Sequence, residues 1–544
     1  MTASLLVNAP EITPDQLVFR HDVLRAGTAA QAGLLAAPVA AMRAIAESYL
    51  VPTADHPDHP AYAGATVLAA RNGVVVQRFA VGDAVRYAAA DAELPPEQRI
   101  PARVDTIYDL ASISKLFTTI VVLQQVEKGR LDLDAPVAEH VPEFGKPRIT
   151  VRHLLTHTSG LPAFLPFWSS YPTPETRLTA ALATPVAAGT KPGAQYVYSD
   201  IGLIVLGVLA ERVTGKGLAQ AVHDGVTGPL AMRDTGFNPA PETRDRIAAT
   251  EVEAYAGRGL VWGVVHDENA WSLGGVAGHA GVFSTVDDLA ILCQTLLNGG
   301  AYRGTRILSE RMVRAALVNY NEGIEDRFPD SDRGLGFELG KHSYMDAMAS
   351  PVTFGHTGFT GTSVVIDPIA HSFLILLSNR VHPDRNWGTN TVARRALART
   401  FAEAIPIGHG WHTAGKDNAS LTLVGHLPRP APIGAIASFL LWYDTEPRYD
   451  TAHIETSADG GASWRPLPMT LRAGHDGFTS DGSLTGYGGR KWWHVTAAVP
   501  AGTTDLRWSY RTDVSARGRG VHLDHVHVTG SGAPDMAADG WTFS

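Results

Sequence analysis

The stretch DLASISKLF, residues 109–117, sets two serines and a lysine among apolar residues. Read locally, it opens a helix. ASISKLFTTIVVLQQVEKG (111–129) carries apolar residues at helical spacing and ends on Gly129 as a stop. Two chemistries fit this helix start. In one, a small hydroxyl caps the helix and the lysine reaches water. In the other, Ser112 is a nucleophile and Lys115 its activator. A spacing of three puts both side chains on one face, about one turn apart. A serine at a helix N-terminus has its backbone N–H free to help hold an oxyanion. A buried lysine has its charged form disfavoured, and the neutral amine can take the serine's proton. Four residues with two fixed match often by chance, so on this stretch alone the capped helix is the better reading. Ser114 adjoins Lys115 and points elsewhere on the helix, which leaves Ser112 as the nucleophile of the catalytic reading.

The chain around it has 544 residues, more than one compact domain usually holds. Apolar residues make up 45% and charged residues 18%, a globular composition with ample material for a core. A formal net charge of −9 argues against a general nucleic-acid binder, which shows a basic face. The single cysteine, Cys293, excludes an intramolecular disulfide and a Cys-rich metal site, and its setting LAILCQTLL reads as core. The N-terminus, MTASLLVNAPEITPDQ, has no basic segment and no apolar run of signal-peptide length. The longest apolar runs, such as GLIVLGVLA (202–210), are too short to span a bilayer. The expectation is a cytoplasmic protein, or a secreted one if a signal has been removed, with no membrane partner.

Residues 1–34 give weak signals and read as an N-terminal arm, although helical spacing already begins in LLAAPVAAMRAIAESYL (34–50). GATVLAA, the turn RNG and VVVQRFAVG form a hairpin pattern over 64–82. Helical periods and Gly/Pro turns fill the middle. Strands return near 353 with TFGHTGFTGTSVVID and SFLILLSN, and TNTVARRALARTFAEAI (389–405) is an amphipathic helix. The layout is α+β, one antiparallel sheet drawing strands from both ends of a domain over 35–405. Residues 406–417 have linker character. From 418 to 544 nearly everything alternates with period two: in LRWSYR, Leu506, Trp508 and Tyr510 share one face. Asp459-Gly460 is a hairpin-turn signal, and this region reads as an all-β sandwich domain.

Two later elements bear on Ser112. In GAQYVYSDIGLIVLGVLAERVTG (193–215), Tyr198-Ser199-Asp200 precedes an apolar helix ending near Gly215. A tyrosine there can present its phenol to a cleft, and a nearby ammonium favours the phenolate, a general base; a ring packed with its hydroxyl in water is the commoner fate of a lone tyrosine. In FGHTGFTGTSVVID (354–367), His356-Thr357-Gly358 sits on a strand. Gly358 allows close approach of a substrate, and the N–H of Phe359 can be a second oxyanion donor. His356 and Thr357 can hydrogen-bond a substrate's polar end. The alternative is a glycine-containing bulge on an edge strand.

Taken together and in this order, these elements resemble the serine β-lactamase-like, penicillin-binding-protein-like superfamily. The likeness is nearest its class C β-lactamase, DD-peptidase and esterase branch. LDLDAPVAEHVPEF (131–144), ITVRHLLTHTSGLP (149–162), VHDENA (265–270) and GGVAGHAGVFSTVDDLA (274–290) strengthen it, and it covers roughly 35–405. The resemblance implies a β-lactamase/DD-peptidase-like fold, a five-stranded antiparallel sheet flanked by helices with the active site between sheet and helical region. It implies Ser112 as nucleophile, Lys115 as activator and Tyr198 as the acid/base that protonates the leaving group. Asp200, His356, Thr357 and Gly358 would line the pocket, and Ser112 and Phe359 would donate the oxyanion-hole N–H groups. Two positions depart from the best-known forms. Asp200 stands where β-lactamases commonly carry Asn, and its charge would hold Lys115 protonated. His356 replaces the usual lysine of the strand motif, so a fixed positive charge is lost at neutral pH.

Other features favour structural roles. His153 and His157 in HLLTH lie one helical turn apart but lack the Glu of H-E-x-x-H. Alternation sends His525 and His527 to one face and His522 and Asp524 to the other. PAFLPFWSSYPTP (162–174) gathers four aromatics in a loop, either an apolar rim for an acyl group or a loop packed on itself. The run LRWSYRTDVSARGRGVHLDHVHV resembles jelly-roll modules appended to secreted peptidases. No cofactor and no metal are called for. The expected activity is that of a serine hydrolase or acyltransferase acting on a small-molecule or peptide-like ester or amide, as an esterase or biosynthetic transacylase. The enzymatic alternative is a DD-carboxypeptidase or weak β-lactamase. The other-class alternative is a catalytically silent binding or scaffold protein, which would have no need to keep Ser112, Lys115 and Tyr198 together. The sequence leaves the oligomeric state open.

Overall fold

The structure, a computed structural model, describes residues 9, 12–90, 92–324, 331–413 and 415–544. Residues 1–8, 10 and 11 of the expected arm lie outside the described residues. Contacts divide the chain into two compact units, one of residues 14–344 and 352–404, the other of 1–13, 345–351 and 405–544.

The larger unit is built on one sheet: β1 (Arg25–Ala26), β2 (Gly64–Arg71), β3 (Val74–Val85), β4 (Glu338–Leu339), β5 (Phe354–Thr357), β6 (Ser363–Asp367) and β7 (Ser372–Ser378), in the order β1-β3-β2-β7-β6-β5-β4. Asn72 and Gly73 both take positive φ, 53° and 71°, the mirror-image turn that matches strand twist and closes the β2–β3 hairpin. β7 returns antiparallel against β2, from Ser372 opposite Arg71 to Ser378 opposite Ala65, so the two ends of the domain meet mid-sheet. Five antiparallel strands, β3 to β5, form the body, as the resemblance implies. The two-residue β1 and β4 extend its edges, β1 running parallel to β3. Residues read as arm thus supply an edge strand.

Helices α1 (Ala36–Ser48), α2 (Ser114–Glu127), α3 (Asp200–Thr214), α4 (Val286–Leu297) and α5 (Thr391–Glu403) form the rest of the frame. α1 and α5 pack on each other and on β3 and β7, while α4 packs on β2, β7 and β6. β2 and β7 are buried along almost their whole length, as a sheet covered on both faces requires. α2 and α3 pack together; every residue from Ser114 to Gln125 of α2 and from Ile201 to Ala210 of α3 is buried. α3, apolar all round from Ile201 to Ala210, belongs in an interior, and the polar residues of α2 are buried with it. Gly215, at φ 69°, ends α3 in the left-handed conformation that glycine adopts freely.

The second unit holds two further sheets. One centres on Ile436–Asp444 between Trp493–Ala498 and Gly520–Val528; the other on Asp505–Arg511 between Thr451–Ser457 and Ser420–His426. Their inner faces share one core, in which Phe439 meets Trp508 edge to face at 5.5 Å. Strict alternation breaks in Gly520–Val528. A register shift in the pairing of Ile436–Asp444 with Gly520–Val528, beside His525 at φ 52°, moves the buried positions from 521 and 523 to 528.

Candidate active site

Ser112 stands one step before α2, in a single 3-10 turn over Ala111–Ile113. Ala111, a non-glycine at φ 47°, makes the sharp entry. Such a residue persists only where its surroundings over-determine it. Here they do: the Asp109 carboxylate accepts from the Ala111 N–H at 2.8 Å, and Leu110 donates its N–H to Val282 at 2.9 Å. Ser112 is left half-buried at the start of a helix that is buried from Ser114 to Gln125.

Lys115, 1% exposed, points back at it. Its Nζ donates to Ser112 Oγ at 2.7 Å and to the His279 carbonyl at 3.1 Å, and stands 2.8 Å from Asp200 Oδ1. Burial pushes the lysine's pKa down, yet Asp200, with Tyr198 behind it, outweighs burial and raises it above the ordinary value. The resting lysine is an ammonium, as the charge of Asp200 implied, and not the neutral amine that desolvation alone would create. Tyr198 stands beside Lys115, whose Nζ lies 4.9 Å from the ring centre. Burial raises the tyrosine's pKa, and Lys115 and Arg333 offset only part of that rise. The resting group is a phenol, not the phenolate expected beside an ammonium.

Local chemistry positions Asp200 and Tyr198. Ser199 caps α3, accepting from the Gly202 N–H at 3.2 Å, and donates to the Pro162 carbonyl at 2.6 Å. Asp200 N–H reaches the Ala163 carbonyl at 2.9 Å. His157, buried and held well below its usual pKa by burial, accepts from the Ser199 N–H at 3.0 Å, its ring 4.6 Å from that of Tyr198. His153 instead accepts from Thr150 N–H at a helix start, so the two histidines of HLLTH serve different backbone groups.

His356 and Thr357 end β5 opposite Val364 and Ser363. His356 is 1% exposed, and burial lowers its pKa to about 4, so it is neutral at pH 7. Its Nδ1 bonds the Thr357 carbonyl at 2.7 Å, which leaves Nε2 facing the Arg333 guanidinium at 3.5 Å. Gly358 is needed for a reason other than substrate approach. A Cβ there would stand 2.1 Å from Thr362 Oγ1 and 2.4 Å from the Leu110 carbonyl. Protein fills the space expected for substrate. Thr362 and Thr360 donate to the Leu110 and Asp109 carbonyls at 3.0 and 2.7 Å, stapling this turn to the nucleophile segment. The Phe359 N–H donates to no described acceptor, and its ring is 48% exposed.

Three groups in the site escape a reading of the sequence. Arg333, 1% exposed, lies 5.1 Å from the Tyr198 ring centre and pairs with Glu338 at 2.9 Å, so a fixed charge does sit behind His356. Asp267 and His279 pair at 2.8 Å, and the His279 carbonyl holds Lys115. Gly278 brings that carbonyl close: a Cβ on it would stand 2.0 Å from Leu203 O of α3. VHDENA and GGVAGHAG contain the last pair, but nothing in their spacing says that they meet. Among the described residues no helix is long and apolar enough to cross a membrane.

A family model described as Beta-lactamase matches residues 53–399. A protein of Escherichia coli (strain K12) named "Putative D-alanyl-D-alanine carboxypeptidase" is 33% identical over 359 residues, 59% of this chain and 79% of that protein. Among solved structures, EstCE1, described as a hydrolase with promiscuous acyltransferase activity, matches at TM-score 0.51 and 24% identity, over 66% of this chain and 99% of its own. A LovD6 mutant of simvastatin synthase from Aspergillus terreus matches at TM-score 0.51 and 24% identity, over 69% and 98%. At that identity these two share the fold. With the family model spanning most of the chain, the protein belongs to the beta-lactamase family, within the β-lactamase-like superfamily of serine hydrolases.

Proposed function

We propose that the protein is an esterase or transacylase that passes an acyl group through Ser112. The observation that carries this reading is Lys115 Nζ bonded at once to Ser112 Oγ and Asp200. Ser112 Oγ attacks the carbonyl carbon, and its proton passes to the Lys115–Tyr198 pair. The N–H groups of Ser112 and Phe359 hold the oxyanion. Tyr198 then protonates the leaving alkoxide, and water or a second alcohol or amine takes the acyl group from Ser112. At rest the pair carries an ammonium and a phenol, so it must release one proton before it can accept the serine's. The active form therefore gains population as pH rises.

What surrounds the serine supports one substrate class over another. A terminal carboxylate needs a free cation. Near β5, His356 is neutral, Arg333 is buried against Glu338, and Arg380 and Arg394 are occupied by backbone carbonyls, Arg380 by that of Phe359 and Arg394 by those of Gly358 and Thr362. Exposed apolar groups stand on both sides instead. Phe164 and Leu165, 45% and 37% exposed, follow directly on the residue bonded to Asp200, and Phe359 follows Gly358. Asn269 clamps that loop, donating to the Leu165 carbonyl at 2.9 Å and accepting from Trp168 N–H at 3.1 Å. This rim favours neutral esters with an apolar acyl chain.

A DD-carboxypeptidase is the second reading, favoured by the name of the Escherichia coli relative. Turnover of p-nitrophenyl esters of increasing chain length, set beside release of D-Ala from a D-Ala-D-Ala peptide, separates the two. The esterase reading expects kcat/KM to rise with chain length and the gain to shrink in Phe164→Ala/Leu165→Ala. Turnover of the peptide with none of the esters would overturn it.

A further inference from the structure

A second cavity lies away from the nucleophile, where the β1–β3 edge of the sheet meets α4. Its volume is about 570 Å³, within the range of small-ligand sites. β7 and β6 stand between β2, which lines it, and β5, which carries His356. The floor is apolar: Leu24, Leu68, Val75, Leu230, Ala290 and Ile291. The Tyr302 hydroxyl accepts the Leu24 N–H at 3.3 Å and fixes one wall.

Four arginines rim this floor, Arg25, Arg78, Arg233 and Arg303, against one acidic residue, Asp287. Arg78 bonds Asp287 through Nε at 2.6 Å. Arg25, Arg233 and Arg303 are exposed and have no carboxylate partner among the described residues. On a chain of net charge −9, this is a concentrated excess of the opposite sign. Solvated surface arginines are common, and so are small apolar dents. Three guanidiniums without a carboxylate partner, that of Arg303 over the Tyr302 ring at 5.5 Å, around an apolar floor of ligand size ask for both properties in one molecule. A guanidinium fork matches a carboxylate's two oxygens, and an aliphatic chain removes the floor from water.

We propose that this cavity binds a free medium-chain aliphatic carboxylate, its head among Arg25, Arg233 and Arg303 and its chain along Leu68, Val75 and Ile291. The site is separate from the Ser112 chemistry and does not depend on which ester that chemistry takes.

Calorimetric titration of the full chain with decanoate, octanoate and decyltrimethylammonium, each below micelle formation, tests it. Decanoate binds roughly tenfold more tightly than octanoate, the effect of two buried methylenes. The cation binds at least tenfold more weakly than decanoate. Arg25→Ala/Arg233→Ala/Arg303→Ala loses decanoate binding at least tenfold. So does Ile291→Asp, a half-exposed helix position that places a carboxylate on the floor. Both variants keep wild-type circular dichroism, melting and turnover of a short ester. No decanoate binding, equal binding of octanoate or of the cation, or unchanged binding in both variants would overturn the assignment.

Discussion

Lys115 and Asp200 form an ion pair of 2.8 Å with the lysine 1% and the aspartate 22% exposed, and the same ammonium bonds the Ser112 hydroxyl at 2.7 Å. The carboxylate holds on the lysine the proton that must leave before the serine can be activated. Asp200→Asn removes that hold and lowers the pKa of the coupled Lys115–Tyr198 pair. The rising limb of kcat/KM against pH then moves to lower pH, by roughly one unit or more. A pH–rate profile on a neutral ester checks this, and a limb that stays in place or moves upward would count against the assigned proton inventory.

His356 stands where a lysine is usual, and Arg333 explains why a lysine does not fit. A second buried cation at 356 would face Arg333, which is 3.5 Å from His356 Nε2, with Glu338 the carboxylate they would share. His356→Lys is expected to cost about 3 kcal/mol or more in urea unfolding, the scale of an uncompensated buried charge. Adding Arg333→Met to His356→Lys recovers part of that loss, because Glu338 then serves one cation rather than two.

Gly358→Ala places a Cβ 2.1 Å from Thr362 Oγ1 and 2.4 Å from the Leu110 carbonyl. The backbone partner cannot swing away, so the turn carrying Phe359 must lift from the nucleophile segment. The expected result is a loss of about 1–3 kcal/mol in stability together with loss of kcat. Full activity with an unchanged melting temperature would show that this turn is not stapled to Leu110.

Asp267 acts on Lys115 through another residue. Its carboxylate accepts from Ala270 N–H at 2.7 Å and pairs with His279 at 2.8 Å, holding the segment whose carbonyl bonds Lys115. Asp267→Ala should lower kcat on the order of ten- to a hundredfold, with KM little changed. Asp267→Asn, which can still accept both hydrogen bonds, restores most of it. A fall in KM affinity alone would assign Asp267 to substrate contact instead.

Local patterns account for what the sequence makes legible. The hairpin at 64–85, the helices after Ser112 and Asp200, and the closing helix at 391–403 follow from periodicity and from Asn72-Gly73, Gly129 and Gly215. The order of the Ser112, Tyr198 and His356 segments sufficed for the family. What stayed hidden depends on contacts between distant segments. That Asp200, 85 residues away, would hold Lys115 protonated was legible from the resemblance; that the carbonyl of His279 also holds the ammonium was not. Arg333 sits in a loop with no motif, and only the fold carries it to His356. Gly358, just past β5, is explained by Leu110, a residue of the distant nucleophile segment.

The central claim is that Ser112 is the acyl-accepting nucleophile. Intact-mass analysis after incubation with a fluorophosphonate is its most direct test, with the modified peptide identified. One adduct per chain on the peptide containing Ser112, absent from Ser112→Ala, is the predicted result. No adduct on the wild-type protein, or an equal adduct on Ser112→Ala, would contradict it.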